Sequence, residues 1–244
     1  MTQLSDNAAQ RLPLESLAPN LERFASNFQY RMKLLSDTRV HTDRLLATRY
    51  NVFDYIRPNE NRLSDIIRDL LDPNGFHGQG DNFLREFITV TCAHPPTWTS
   101  CRLHRENTTS LIENHLRRID VLIDFGKFGI AIENKPWAGD QEDQIGDYVK
   151  HLERRFAGRF VIVYLSASGS RPTSINAPAA QQLLRAKRLV LTAYPGHFRG
   201  WLMNCYKNCA AEKVRWFLLD FVAYIDATFA LQTSVENNTD DDED

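Results

Sequence analysis

Residues 117–137, RRIDVLIDFGKFGIAIENKPW, form the stretch of sequence that decides the fold. Two runs rich in isoleucine and valine, residues 117–125 and 129–135, are predicted to be β-strands. The Gly126-Lys127 dipeptide between them has glycine first, as a type II′ turn prefers, and predicts an antiparallel hairpin. In that register the numbers of paired residues sum to 253, so that Asp120 lies directly across from Glu133.

The hairpin gathers two carboxylates and a lysine. Alternation along the strands places Asp120, Glu133 and Lys135 on one patch. If the hairpin has a four-residue loop instead of the two-residue turn, Asp120 lies opposite Lys135 and the three side chains still share this patch. Such carboxylates are costly to dehydrate and repel each other, and Mg²⁺ resolves both problems by binding one or two carboxylates, water and phosphate oxygens. The patch therefore predicts a centre for phosphodiester hydrolysis. The alternative is an exposed hairpin with a solvated polar face, and the flanking residues favour the centre.

A helix is predicted over residues 140–156, with Asp140 as its N-cap. It places Gln141, Gln144 and Tyr148 at positions i, i+3 and i+7 on one face, beside the end of the second strand. Amide and phenol groups suit contacts with phosphates and base edges. Trp137, two residues after Lys135, is a candidate for stacking on a substrate base.

The rest of the chain alternates helical and strand patterns. The predicted elements are two helices over 20–56, helices over 59–71 and 82–91, a weak strand over 99–105, a buried strand over 159–165, a helix over 177–186, a strand over 188–192 and two helices over 198–230. A strand–helix–strand crossover requires parallel pairing, so we expect an α/β fold with a mixed central sheet flanked by helices.

Charge is divided unevenly along the chain. The formal net charge of −2 disfavours a nucleic-acid binder, but residues 236–244 hold six of the 31 acids. The remaining 25 acids face 29 bases, which gives residues 1–235 a charge of +4. We expect residues 236–244 to be a disordered acidic tail, residues 1–18 a flexible N-terminus, and residues 19–235 a single domain with helical extensions.

Several classes of protein are excluded by missing patterns. No apolar run is long enough for a membrane span and the N-terminus has no signal-peptide core, so a cytoplasmic location is expected. The sequence lacks a P-loop, a dinucleotide-binding glycine fingerprint, a GxSxG elbow and an HExxH motif. The four cysteines are expected to be free thiols.

The central motifs resemble the PD-(D/E)XK nuclease superfamily, in which an aspartate on one strand is followed by (D/E)-x-K on the next. Here these residues are Asp120 and Glu133-Asn134-Lys135. The Gln144-x-x-x-Tyr148 spacing resembles the motif that follows in exonuclease-like and RecB-like branches. Residues 59–87, with Glu60, Ser64, LLDP and HGxG, are similar to a bacterial branch of the superfamily. Together the resemblance covers about residues 59–155.

This resemblance implies a restriction-endonuclease-like αβββαβ core with extra N- and C-terminal helices, and a requirement for Mg²⁺ or Mn²⁺. It implies that Asp120, Glu133 and the carbonyl of Asn134 bind the metal, and that Lys135 acts on the nucleophile and the phosphate. Glu60 matches an N-terminal acidic residue that binds metal directly or through water.

Gln144 and Tyr148 would orient the site or contact the substrate. The implied function is a metal-dependent nuclease, with DNA a better substrate than RNA and endonucleolytic cleavage expected. By analogy, a role in anti-phage defence, with a protein partner or regulator, and a homodimer for double-strand cutting are expected. The alternative is a catalytically silent module that keeps the fold to bind nucleic acid or protein. The intact Asp/Glu/Lys set favours the enzyme.

Overall fold

The computed structural model describes residues 14–112, 117–137 and 139–236. The chain divides into two compact units, Met1–Tyr50 and Asn51–Asp244. The first unit contains helix α1, Leu14–Leu46, which begins inside the segment predicted to be flexible. Its apolar side chains, such as Phe24 and Phe28, are exposed. Helical periodicity predicts an apolar face but does not determine what covers that face. Residues 1–13, and residues 237–244 of the predicted tail, lie outside the described residues.

The second unit contains the elements that position the site. Its helices are α2 Val52–Ile56, α3 Glu60–Leu71, α4 Asn82–Thr91, α5 Gln144–Phe156, α6 Ala177–Arg185, α7 Arg199–Asn208 and α8 Glu212–Glu236. Its strands are β1 Arg102–Thr108, β2 Arg118–Asp124, β3 Gly129–Lys135, β4 Phe160–Ser166 and β5 Leu189–Ala193. A short π-helical turn, Tyr194–Phe198, connects β5 to α7.

The five strands form one mixed sheet in the order β1-β2-β3-β4-β5. The pairs β1–β2 and β2–β3 are antiparallel, and the pairs β3–β4 and β4–β5 are parallel. Helices α5 and α6 make the two parallel connections. This arrangement confirms the predicted α/β fold with an αβββαβ core and additional N- and C-terminal helices.

Side-chain alternation divides the core between the two faces of the sheet. On one face, Val121, Ile130 and Ile132 lie in a cluster with residues of α3, α4, α7 and α8. On the other, Leu122 and Ala131 pack with residues of α5 and α6. Both faces of β3 are thus covered, and all its residues except Lys135 are buried.

The hairpin has the predicted register. Val121 pairs with Ile132 and Asp124 with Gly129, and both sums are 253. Gly126 adopts φ 82°, a conformation that favours glycine, and its N–H donates to the Asp124 carboxylate at 2.6 Å. At the open end of the hairpin, the Asn134 N–H donates to Asp120 Oδ2 at 2.8 Å, so the acidic side chain continues the connection between the strands.

Substituting Gly129 by alanine is expected to lower the free energy of unfolding by about 1–3 kcal/mol. An added Cβ would lie 2.2–2.6 Å from the ring of Phe156 at the end of α5. The matched control is Gly146→Ala in α5, where a Cβ meets nothing within 4 Å and helix propensity predicts a gain of up to about 1 kcal/mol. Urea denaturation measures both. Equal stability of Gly129→Ala and wild type would contradict the close packing of β3 against α5.

Two details of the sequence interpretation are corrected. Helix α5 begins at Gln144, so Asp140 is not its N-cap and Gln141 precedes the helix. The Asp140 carboxylate instead accepts hydrogen bonds from Tyr164 Oη, Thr173 N and Ser174 N, groups that are distant in sequence. Strand β1 lies three residues later than predicted, at Arg102–Thr108.

All four cysteines are free thiols, as expected. In the described part of the chain, no helix has both the length and the apolar character needed to cross a membrane.

Candidate active site

Glu133 lies at the centre of the cluster that the hairpin predicted. Its side chain is 1% exposed, and Lys135 Nζ and Gln144 Nε2 each lie 2.7 Å from its Oε1. Tyr148 Oη lies 2.9 Å from Oε2 and also contacts the Arg118 carbonyl. The structure therefore brings Glu133, Lys135, Gln144 and Tyr148 together, with the first turn of α5 placed against the end of β3.

The environment of Glu133 disfavours its negative charge. Burial, followed by the nearby Asp120 carboxylate, raises the pKa of Glu133 to about 8, although Lys135 and Tyr148 act in the opposite direction. Burial also raises the pKa of Asp120, against the hydrogen bond from Asn134 N and the charge of Lys135. A further positive charge at this point would therefore stabilise both ionised carboxylates.

Asp120 is held by its backbone as well as by its side chain. Arg105, on β1, donates from Nη1 to the Asp120 carbonyl at 2.7 Å. The same guanidinium donates from Nε to Asp65 at 2.8 Å and from Nη2 to the Asn61 carbonyl at 3.1 Å. Arg105 thus connects β2 to α3 beside the site. The sequence does not predict this role of Arg105, because nothing local indicates that its partner is a backbone carbonyl.

Lys135 is surrounded by carboxylates. Its Nζ lies 2.7 Å from Glu133 and 3.7 Å from Glu60 Oε1, and its side chain is largely buried. Burial lowers the pKa of Lys135, but the charges of Glu133, Glu60 and Asp120 outweigh burial and raise it. Lys135 is therefore an ammonium ion at neutral pH and acts as a positive charge and hydrogen-bond donor. Glu60, at the first position of α3, joins the cluster through this lysine.

Asn134 has a structural role that the motif did not indicate. Its fully buried amide donates from Nδ2 to Ser64 Oγ at 3.0 Å and to the Glu60 carbonyl at 3.3 Å. Its Oδ1 accepts from Tyr194 Oη at 2.7 Å. The only signal in the sequence was alternation, which put an amide on the apolar face with Ile130 and Ile132. This network fixes β3 to α3 at the residue between Glu133 and Lys135.

The donor groups fit a divalent cation held by two carboxylates. Asp120 uses Oδ2 for Asn134 N, while Oδ1 lies 3.9 Å from the nearest guanidinium nitrogen and keeps acceptor capacity. Glu133 Oε1 has two donors, and Oε2 keeps one position beside Tyr148. Since the N–H and C=O of a strand residue point to the same side, the Asn134 carbonyl also faces β2.

Within the described ranges, no group of three or more histidine, cysteine, aspartate or glutamate side chains is arranged to hold a metal ion. An ion at this place would therefore depend on two carboxylates, a backbone carbonyl and water, the kind of donor set that Mg²⁺ accepts. Glu60 would act through water or through Lys135.

The fold and the cluster define an α/β protein with an Asp…Glu-x-Lys centre. The chain belongs to the PD-(D/E)XK nuclease superfamily, whose family model matches residues 50–242. Membership indicates a nuclease-type hydrolase that acts on nucleic acid, and nucleases of this superfamily usually use divalent metal ions. No curated protein and no solved structure matches the chain.

Proposed function

We propose that this protein is a metal-dependent nuclease that hydrolyses phosphodiester bonds in DNA, with Mg²⁺ or Mn²⁺ as cofactor. The observation that carries the proposal is the buried Glu133 carboxylate beside the Asp120 carboxylate, whose charge adds to burial in raising the pKa of Glu133. The raised pKa values of both carboxylates support a cation at this place. Asp120, Glu133 and the Asn134 carbonyl are the proposed metal-binding groups.

Each residue of the site has a separate task in this proposal. A bound divalent ion would supply a more acidic water and charge stabilisation at the scissile phosphate. Lys135 contributes a fixed positive charge that binds the phosphate and orients the nucleophile. Gln144 and Tyr148 hold the Glu133 carboxylate, and Asn134 N holds the Asp120 carboxylate. Glu60 balances the charge of Lys135.

The second candidate is a catalytically silent module of the same fold that binds nucleic acid or protein. One observation favours it: the ion pair between Lys135 and Glu133 already neutralises the carboxylate that an ion would need. The two candidates differ in the expected effect of a metal ion, because only the nuclease requires an ion that displaces or rearranges the ion pair between Lys135 and Glu133.

The deciding experiment incubates the full chain with supercoiled plasmid, single-stranded DNA and RNA, with Mg²⁺, Mn²⁺ or a chelator. We expect DNA to be cut with metal and to stay intact with the chelator. Nicked or linear plasmid would identify endonucleolytic cleavage. Binding without cleavage under every metal condition would favour the silent module, and preferential cleavage of RNA would contradict DNA as the substrate.

The remaining parts of the proposal concern the cellular setting. A single centre cuts one strand at a time, so double-strand cleavage would point to a homodimer. Defence against phage in the cytoplasm, under the control of a protein partner, is proposed by analogy with other nucleases of this broad superfamily. Survival of phage-challenged cells carrying the intact gene or a cleavage-deficient variant tests that role.

A further inference from the structure

A cavity of about 330 Å³ lies beside Lys135, at the carboxyl ends of β3 and β4. Its lining includes Lys135, Trp137 and Arg171, with the hydroxyl-bearing Ser168 and Ser170. This volume is near the lower end of the about 300–1,000 Å³ found for small-molecule pockets. A cavity of this volume can hold one nucleotide unit but not a turn of duplex. Lys135 belongs both to this cavity and to the candidate active site.

Trp137 forms an aromatic platform in this cavity. Its indole stacks on Phe229 of α8, with ring centroids 5.9 Å apart and 25° between the planes, yet 49% of Trp137 is exposed. Phe229 is fully buried and stacks on Tyr194 at 4.4 Å. Tyr194 in turn donates to Asn134 Oδ1. An exposed indole supported from below in this way is suited to stacking on a nucleobase.

Arg171 supplies a positive charge to the same cavity. Its side chain is exposed, and no ion pair of its guanidinium is present among the described residues, whereas Arg105 and Arg117 are bound to carboxylates. Ser168 and Ser170 add hydroxyl groups nearby. Guanidinium and hydroxyl groups are the common protein partners of phosphate oxygens.

The loop that carries Arg171 is fixed to the floor of the cavity. The Asp140 carboxylate accepts from Thr173 N at 2.6 Å, from Ser174 N at 3.2 Å and from Tyr164 Oη at 2.9 Å. These bonds provide hydrogen-bond donors to Asp140, the only carboxylate among the residues that line the cavity. Arg171 is therefore a charged side chain of this loop that has no carboxylate partner among the described residues. Because these bonds already hold the loop, ligand binding does not incur the entropy cost of ordering it.

We infer that this cavity is a subsite for one unpaired nucleotide next to the scissile phosphate. The base stacks on Trp137, and a phosphate is bound by Arg171 with Ser168 and Ser170. The inference rests on the proposed nuclease function and narrows the substrate to single-stranded nucleic acid or a single-stranded segment. Inside a duplex each base is covered on both faces by its neighbours, so only an unpaired base can stack on Trp137.

The test measures binding of the full chain to a short labelled oligothymidylate by fluorescence anisotropy, in chelator so that nothing is cleaved. Trp137→Ala and Arg171→Ala should each weaken binding about tenfold, and Trp137→Phe should retain most of the affinity. Trp216→Ala and Lys213→Ala are matched controls on α8, since both residues are exposed and do not line the cavity. They should bind as wild type does.

A probe of equal charge that lacks its bases separates stacking from charge attraction. Wild type should bind it about as weakly as Trp137→Ala binds oligothymidylate, and Trp137→Ala should weaken its binding no further. Equal affinity of wild type and Trp137→Ala for oligothymidylate would overturn the subsite, as would a duplex bound as tightly as the single strand.

The subsite and the nuclease proposal fail in different ways. Metal-dependent cleavage with unchanged binding by the Trp137 and Arg171 variants would remove the subsite and leave the nuclease. Binding that depends on Trp137, in a chain that cuts no nucleic acid with any metal, would support the subsite and count against the nuclease.

Discussion

Replacing Asp120 with asparagine is expected to lower the rate of metal-dependent DNA cleavage about 10³-fold, while the chain stays folded. Asparagine keeps an acceptor for the Asn134 N–H, which lies 2.8 Å from Asp120 Oδ2, but it removes the charge that would hold the ion. Loss of about 4 kcal/mol of transition-state stabilisation corresponds to this factor. Cleavage of single-stranded DNA under single-turnover conditions measures the effect.

Asp124→Asn is the matched control on the same strand. Asp124 lies near the turn, where its carboxylate pairs with Arg155 at 2.7 Å. This variant should cleave as wild type does and lose less than about 1 kcal/mol of stability, as expected for a surface ion pair. Calorimetric titration with Mn²⁺ adds a readout without substrate, in which Asp120→Asn should bind the ion more weakly. Unchanged cleavage and Mn²⁺ binding by Asp120→Asn would show that Asp120 is not a metal-binding residue.

Replacing Asn134 with leucine is expected to lower the free energy of unfolding by about 3 kcal/mol. The substitution removes the bonds to Ser64, to the Glu60 carbonyl and to Tyr194. It leaves the hydroxyl of Tyr194, a fully buried side chain, without its acceptor, and an unsatisfied buried group of this kind costs about 1–3 kcal/mol. Chemical denaturation measures the loss. Cleavage should fall as well, because Asn134 lies between Glu133 and Lys135.

A double variant distinguishes the network from simple packing. Asn134→Leu combined with Tyr194→Phe removes both partners of one bond, which is less costly than leaving one of them buried alone. The double variant should therefore be more stable than Asn134→Leu alone. If it is less stable by the full cost of a second core substitution, the Tyr194 hydroxyl is not the source of the penalty.

The local chemistry of the hairpin was predictable from the sequence. A glycine-first turn between two strongly apolar strands fixes the register, and the register places Asp120 beside Glu133-Asn134-Lys135. Gln144 and Tyr148 followed from helical spacing, because residues four apart lie on the same face of a helix. The positions of these side chains were predictable because they depend on contacts between residues close in sequence.

Contacts between distant residues were not predictable in the same way. Asp140 has the residue type and position of an N-cap, but Thr173 and Ser174 offer it backbone N–H groups from a loop more than thirty positions away. The bond from Arg105 to the Asp120 carbonyl and the support of Trp137 by Phe229 are equally non-local. Pattern and propensity describe one element at a time, whereas these contacts arise only when elements pack.

The order of strands in the sheet has a consequence for how the chain folds. Each strand pairs with the strand next to it in sequence, from β1 to β5. The β2–β3 hairpin closes the shortest loop, so its formation costs the least chain entropy, whereas β4 must wait for the crossover through α5. The pairing that brings Asp120 beside Glu133 is therefore among the most local contacts of the sheet, and it costs little chain entropy to form.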